Sequence, residues 1–202
     1  MLPYGDTFKA AVLSGNGASL KDSLRTKTKP VNIADGLPIV LQDPMIIGQT
    51  PANRQAFLDV HPVLSLLQQW IDPADPLNYA RPMTRAPIGT HTAKHVFQTY
   101  GLGDTYSPPV TLATFALAGG LAIVENAAVS APDAIGGGTP VSAPLSGNVM
   151  VAAAPFTLGV REYQPASGDD GHFVVFDVPA ANADMVRFFT GAMGGAVPAI
   201  GN

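Results

Sequence analysis

The chain has 202 residues, enough for one domain or a domain with a small subdomain. Hydrophobic residues make up 47 % and charged residues 13 %, a balance that builds a buried core and excludes a disordered chain. A formal net charge of −4 disfavours nucleic acid, and the absence of cysteine excludes disulfides, thiolate metal sites and cysteine catalysis.

No run approaches the ~18 consecutive apolar residues of a membrane-spanning helix. The first residues, Met1 to Asp6, lack the basic and apolar regions of a signal peptide. Phe8 to Leu13 is a short apolar run closed by Ser14-Gly15-Asn16-Gly17, the pattern of a buried strand. Ser19 to Thr26 reads as a short helix. The cationic cluster Lys21, Arg25, Lys27 and Lys29 reads as a solvated helix end and loop in preference to a phosphate site. Residues 30–40 and 43–51 read as irregular, with Pro30, Pro38, Pro44 and Pro51 blocking long elements.

Phe57 to Ile71 reads as a helix. Val63, Leu66, Leu67, Trp70 and Ile71 form one stripe, and Pro62 suits its first turn. That stripe is expected to be core, with a substrate-facing surface as the alternative. Lys94 to Tyr100 reads as a strand, Val110 to Leu121 as a helix, and Phe156 to Tyr163 as another strand. The stretch between, with Pro132, Gly136-Gly137-Gly138, Pro140 and Pro144, reads as a flexible connection and not a phosphate loop. Ala180 to Phe189 reads as a closing helix with Met185, Val186, Phe188 and Phe189 inward. Strands alternating with helices predict an α/β fold with a parallel sheet.

In such sheets function collects at the carboxyl ends of strands. Two of those loops carry chemistry. Tyr100-Gly101-Leu102-Gly103-Asp104 runs on to Ser107-Pro108-Pro109, and Ser167-Gly168-Asp169-Asp170-Gly171 delivers His172. Asp169 and Asp170 are rival acids, cation ligands or, as favoured here, solvated loop residues. His61, His91 and His95 lack metal spacing. His91 and His95 would lie ~13 Å apart on a strand, so no metal site is expected.

Together these loops resemble the α/β-hydrolase superfamily, which places its triad acid after the penultimate strand and its histidine just after the last. Gly101 to Asp104 with Ser107-Pro108, and Gly171-His172, follow that order. The similarity extends over about residues 8–191. It is strongest to bacterial secreted lipase- or esterase-like proteins, through the stretches Asp59 to Tyr79 and Lys94 to Pro109. The resemblance implies that residues 1–202 form the C-terminal portion of an α/β-hydrolase parallel sheet, with a helical lid inserted over 20–92. It implies hydrolysis of carboxylic esters, small or lipidic, with Asp104 as acid and His172 as base and no metal or organic cofactor. It also implies an extracytoplasmic or secreted location.

One element of that family is missing. The nucleophile elbow Gly-x-Ser-x-Gly does not occur around Ser14 or Ser19, because Val12 and Asn16 flank Ser14 and Lys21 follows Ser19 by two. The nucleophile is therefore expected on an upstream, N-terminal part of the same hydrolase, and the chain alone is expected to be inactive. The alternative is a non-catalytic binding or assembly module.

Overall fold

A computed structural model describes residues 2–129, 135 and 138–202. The expected flexible connection at Pro132, Gly136 and Gly137 lies outside the described residues. Strand β1 (Ala10–Ser14) leads into five helices: α1 (Leu20–Thr26), α2 (Ile33–Leu41), α3 (Pro51–Asp59), α4 (Pro62–Ile71) and α5 (Leu77–Thr84). Strand β2 (His95–Gly101), helix α6 (Pro109–Gly119) and strand β3 (Ala122–Val124) follow. The chain then makes β4 (Leu145–Ser146), β5 (Val149–Val151), β6 (Ala154–Phe156) and β7 (Leu158–Tyr163), and ends with α7 (Val174–Asp177), α8 (Pro179–Met193) and β8 (Ala199–Ile200).

The fold is mixed α/β around a four-stranded parallel sheet in the order β1-β2-β7-β3. The two inner strands are buried on both faces, as parallel strands covered by helices must be. Their period-2 alternation sorts the core. Phe97, Tyr163 and Val124 pack with Phe188 and Ala181 of α8, whereas Val96, Tyr100, Leu158 and Val160 pack towards α5 and α6 with Met83, Phe115 and Leu112. On the α8 side one charge is buried. Asp184 sits between Arg161 and Arg187, and accepts the Tyr163 hydroxyl at 2.6 Å. Burial first, and the Asp184 carboxylate second, push the Tyr163 phenol well above its ordinary range.

The helical insertion has a small core of its own, Leu37, Ile46, Leu58 and Leu64, joined by Leu24, Leu41 and Phe57. Residues 33–41 are helical, contrary to the irregular reading of 30–40, whereas 43–50 are irregular as expected and α3 begins at Pro51. Asn32 and Thr50 cap the two starts by accepting from Asp35 N and Asn53 N, and Pro51 occupies the first turn of α3. The helix expected over 57–71 is two helices that break at Val60-His61, before Pro62.

The α4 stripe is corrected as well. Leu64 is the residue that enters the core, whereas Val63, Leu66 and Trp70 are 51 %, 64 % and 77 % exposed. In α8 the inward residues are Ala181, Asp184 and Phe188, while Val186 is exposed.

Candidate active site

The carboxyl ends of β1, β2 and β7 meet in one place, because these strands are neighbours and parallel. After β2 the chain turns through Gly103, held at φ +71°, and presents Asp104. After β7 it returns through a 3-10 turn at Gly171–Phe173, which carries His172. Two glycines let the loops touch. A Cβ on Gly101 would lie 1.9 Å from the Gly171 carbonyl oxygen, and a Cβ on Gly171 would lie 2.4 Å from that of Gly101. No side chain fits at either position without moving a backbone.

The approach brings Asp104 Oδ2 to 3.1 Å from His172 Nδ1, within hydrogen-bond distance. Asp104 is buried, and its Oδ1 accepts from the backbone N–H groups of Tyr106 at 2.9 Å and Ser107 at 2.7 Å. Its pKa is raised above the ordinary carboxylate value by burial, against the opposing pull of the Ser107 N–H and of His172. With the Nδ1–H donated to Asp104, the Nε2 lone pair of His172 is left as the acceptor. Nε2 makes no hydrogen bond to a described residue, and the side chain keeps 26 % of its surface exposed.

The imidazole is also clamped by packing. It stacks on Tyr106 at 4.9 Å between ring centroids and meets Phe173 edge-on at 5.0 Å. It also lies against the backbone of Gly15, where a Cβ would come within 2.4 Å of His172 Cε1. Gly15 has φ +60° and directly follows β1, so the turn after β1 forms part of the floor under the imidazole.

Ser14, Ser19 and Ser107 make no hydrogen bond to the His172 ring among the described residues. Ser14 Oγ is enclosed without a hydrogen-bond partner, Ser19 Oγ caps α1 by accepting from Asp22 N, and Ser107 Oγ donates to the Gly15 carbonyl at 2.5 Å. Beside Tyr106 and Ser107 a cavity of about 240 Å³ opens, lined also by Ala18, Ser19, Lys27 and Asp75.

Several contributors were not anticipated. Asp170 is not a solvated loop residue. Its carboxylate accepts from His172 N and Thr105 N, each at 3.1 Å, accepts the Thr105 hydroxyl, and pairs with Lys29 at 3.3 Å. Burial pushes its pKa up, but these hydrogen bonds outweigh it and leave the carboxyl below its ordinary value. Its place two residues before His172, in an Asp-Gly-His turn, was the available signal. Tyr106 had no such signal beyond its proximity to Asp104. Asp169 is exposed.

The cationic cluster is largely spent on ion pairs: Lys21 and Arg25 with Asp59, Arg25 with Asp22, and Lys29 with Asp170. His61 contacts Asp43 at 3.2 Å. His91 lies in the turn before β2, off the strand, and contacts Asp6 at 3.2 Å. His95 Nδ1 accepts from Thr157 N, and burial lowers its pKa. Among the described residues no group of three or more His, Asp or Glu could hold a metal ion.

No family model, curated protein or solved structure matches this chain.

Proposed function

We propose that this chain supplies the acid and the base of a Ser-His-Asp ester hydrolase of the α/β-hydrolase type, Asp104 and His172. The nucleophilic serine enters on a second polypeptide stretch that docks along β1. The observation that carries the reading is the 3.1 Å contact between Asp104 Oδ2 and His172 Nδ1, at the carboxyl ends of adjacent parallel strands. In this reading β1, β2 and β7 correspond to the last three strands of the hydrolase sheet, and α1 to α5 correspond to the lid.

The chemistry follows from the geometry. His172 Nε2 takes the proton of the incoming serine hydroxyl as the oxygen attacks the ester carbonyl, then returns it to the leaving alcohol. Asp104 holds the Nδ1–H tautomer and offsets the charge of the imidazolium. Water repeats the cycle on the acyl-serine.

The open edge of the sheet supports the rest. β1 pairs on one side with β2 and has no sheet partner on the other among the described residues. A mainly apolar groove of about 580 Å³ with Leu13, Tyr79 and Phe115 flanks it on one face, and a mixed groove of about 500 Å³ with Phe8, Lys9, His95 and Phe189 flanks it on the other. Further strands pairing there would cover both grooves and remove an edge that otherwise invites aggregation. The exposed apolar residues of α4 suit a lipidic ester, which gives Val63, Leu66 and Trp70 something to meet.

The test is turnover of a chromogenic short-chain ester by protein expressed from a coding sequence extended upstream of Met1. His172→Ala is expected to lower kcat by about 10³-fold or more, and Asp104→Asn by about 10²–10⁴-fold through loss of the correct tautomer. Activity within about twofold of wild type for His172→Ala overturns the reading and leaves a binding or assembly module.

A further inference from the structure

We propose that Asp170 is a positioning residue whose carboxylate clasps the histidine turn, the acid loop and the helical insertion together, so that the seat of the insertion governs the His172–Asp104 contact. The inference rests on the dyad proposed above and extends it to residues that never touch the reacting atoms. Asp170 makes its bonds to the His172 backbone and not to the imidazole, so it cannot replace Asp104 as the acid.

Three segments far apart in sequence converge on this one side chain, which is 8 % exposed. Oδ1 accepts from His172 N at 3.1 Å, which ties down the turn that aims the imidazole. The same oxygen accepts from Thr105 N at 3.1 Å, which ties down the residue next to the acid. Oδ2 accepts the Thr105 hydroxyl and pairs with Lys29 Nζ at 3.3 Å. Lys29 belongs to the link between α1 and α2, and that link is itself laid on the acid loop. Thr28 N and Lys29 N both donate to the Thr105 carbonyl, at 3.3 and 3.2 Å.

A hydrogen bond between two loop side chains holds only as well as the two backbones are held, since each loose backbone adds conformations in which the contact is broken. Asp170 removes that freedom from both loops with one group, and two of the bonds come from N–H groups that a neutral or shorter side chain satisfies less well. The link through Thr28 and Lys29 adds the insertion, so its displacement is transmitted to the dyad through Thr105 and Asp170.

The experiment reads His172 directly in the 202-residue chain, by ¹⁵N NMR of labelled histidine. The Nδ1 and Nε2 shifts report the tautomer, and exchange of the Nδ1 proton reports how long the contact lasts. Wild type is expected to hold the Nδ1–H tautomer. Asp170→Ala should mix the two tautomers and speed exchange of that proton about tenfold. Asp170→Asn, which retains an oxygen for His172 N and Thr105 N but loses the Lys29 pair, should fall between wild type and the alanine variant, near the Lys29→Met value. Lys29→Met should speed exchange about threefold.

A folded Asp170→Ala chain with wild-type tautomer and exchange overturns the clasp. If that variant does not fold, Lys29→Met decides alone, and unchanged exchange in it overturns the clasp. Asp104→Asn is the separate control. If it leaves the tautomer unchanged the dyad itself fails, whatever Asp170 does.

Discussion

Asp104 is 2 % exposed, and the chemistry proposed above needs its carboxylate charged beside His172. Burial raises its folded pKa above 3.8, so the folded chain binds that proton more tightly than the unfolded chain. The stability contributed by the neutral carboxyl is full below the unfolded value and is lost as pH rises through the folded one. Ionising Asp104 within the fold therefore costs stability. Asp104→Asn removes the charge and keeps an oxygen for the N–H groups of Tyr106 and Ser107. It is expected to match or exceed wild-type stability at pH 7, by about 0.5–1 kcal/mol, with the advantage shrinking as pH falls towards 4. Urea unfolding at several pH values measures this, and a variant less stable than wild type at pH 7 contradicts it. Asp104 and His172 were legible because each follows a strand and a glycine turn. The pairing of Asp170 with Lys29 was not, because it joins positions 141 residues apart and no local pattern encodes such a contact.

At the scale of elements, Asp75 ties the insertion together and to the turn after β1. Asp75 accepts from Ser19 N at 3.0 Å, Leu20 N at 2.9 Å, Leu77 N at 2.9 Å and Gln68 Nε2 at 2.8 Å. It joins the turn after β1 to α1, α4 and the start of α5. Burial opposes its charge, but these donors prevail and hold its pKa below the ordinary value. Its contribution is thus complete above the unfolded value of about 3.9 and fades as pH falls through the lower folded one. Asp75→Ala orphans three backbone donors and is expected to cost about 2–4 kcal/mol, read by urea unfolding. It should also bring cleavage by a limiting dose of protease into residues 20–84 before the sheet is cut. Equal protease resistance in variant and wild type contradicts the role.

The insertion was the least legible part of the fold. Its prolines masked α2 and α3, whose starts depend on caps at Asn32 and Thr50. The α4 stripe had the period of a core face, yet periodicity does not say which side of a helix has a neighbour. The hairpin of β5 and β6 was hidden because its turn places Ala152 and Ala153 at φ 48° and 65°, where Asn-Gly is the usual signal.

For the whole molecule, the alternation of strands and helices predicts a parallel sheet, and the sheet is parallel. The strand order was not legible. β7 lies between β2 and β3, a placement decided by packing against α6 and α8 and not by any local residue pattern. That order sets His172 beside Asp104, and among the described residues it leaves β1 as an edge with its turn, Gly15, under the imidazole. On the function proposed above, Asp104 and His172 beside that edge define where the nucleophile would arrive. The measurement that tests this most directly is labelling with a fluorophosphonate, read by peptide mapping, on the 202-residue chain alone and on protein expressed with the upstream coding sequence. The account predicts no adduct on the chain alone. With the upstream sequence it predicts an adduct on a serine outside residues 1–202, whose labelling rate falls when His172 is replaced by alanine. An adduct on Ser14, Ser19 or Ser107 contradicts it, as does an upstream serine labelled at the same rate with or without His172.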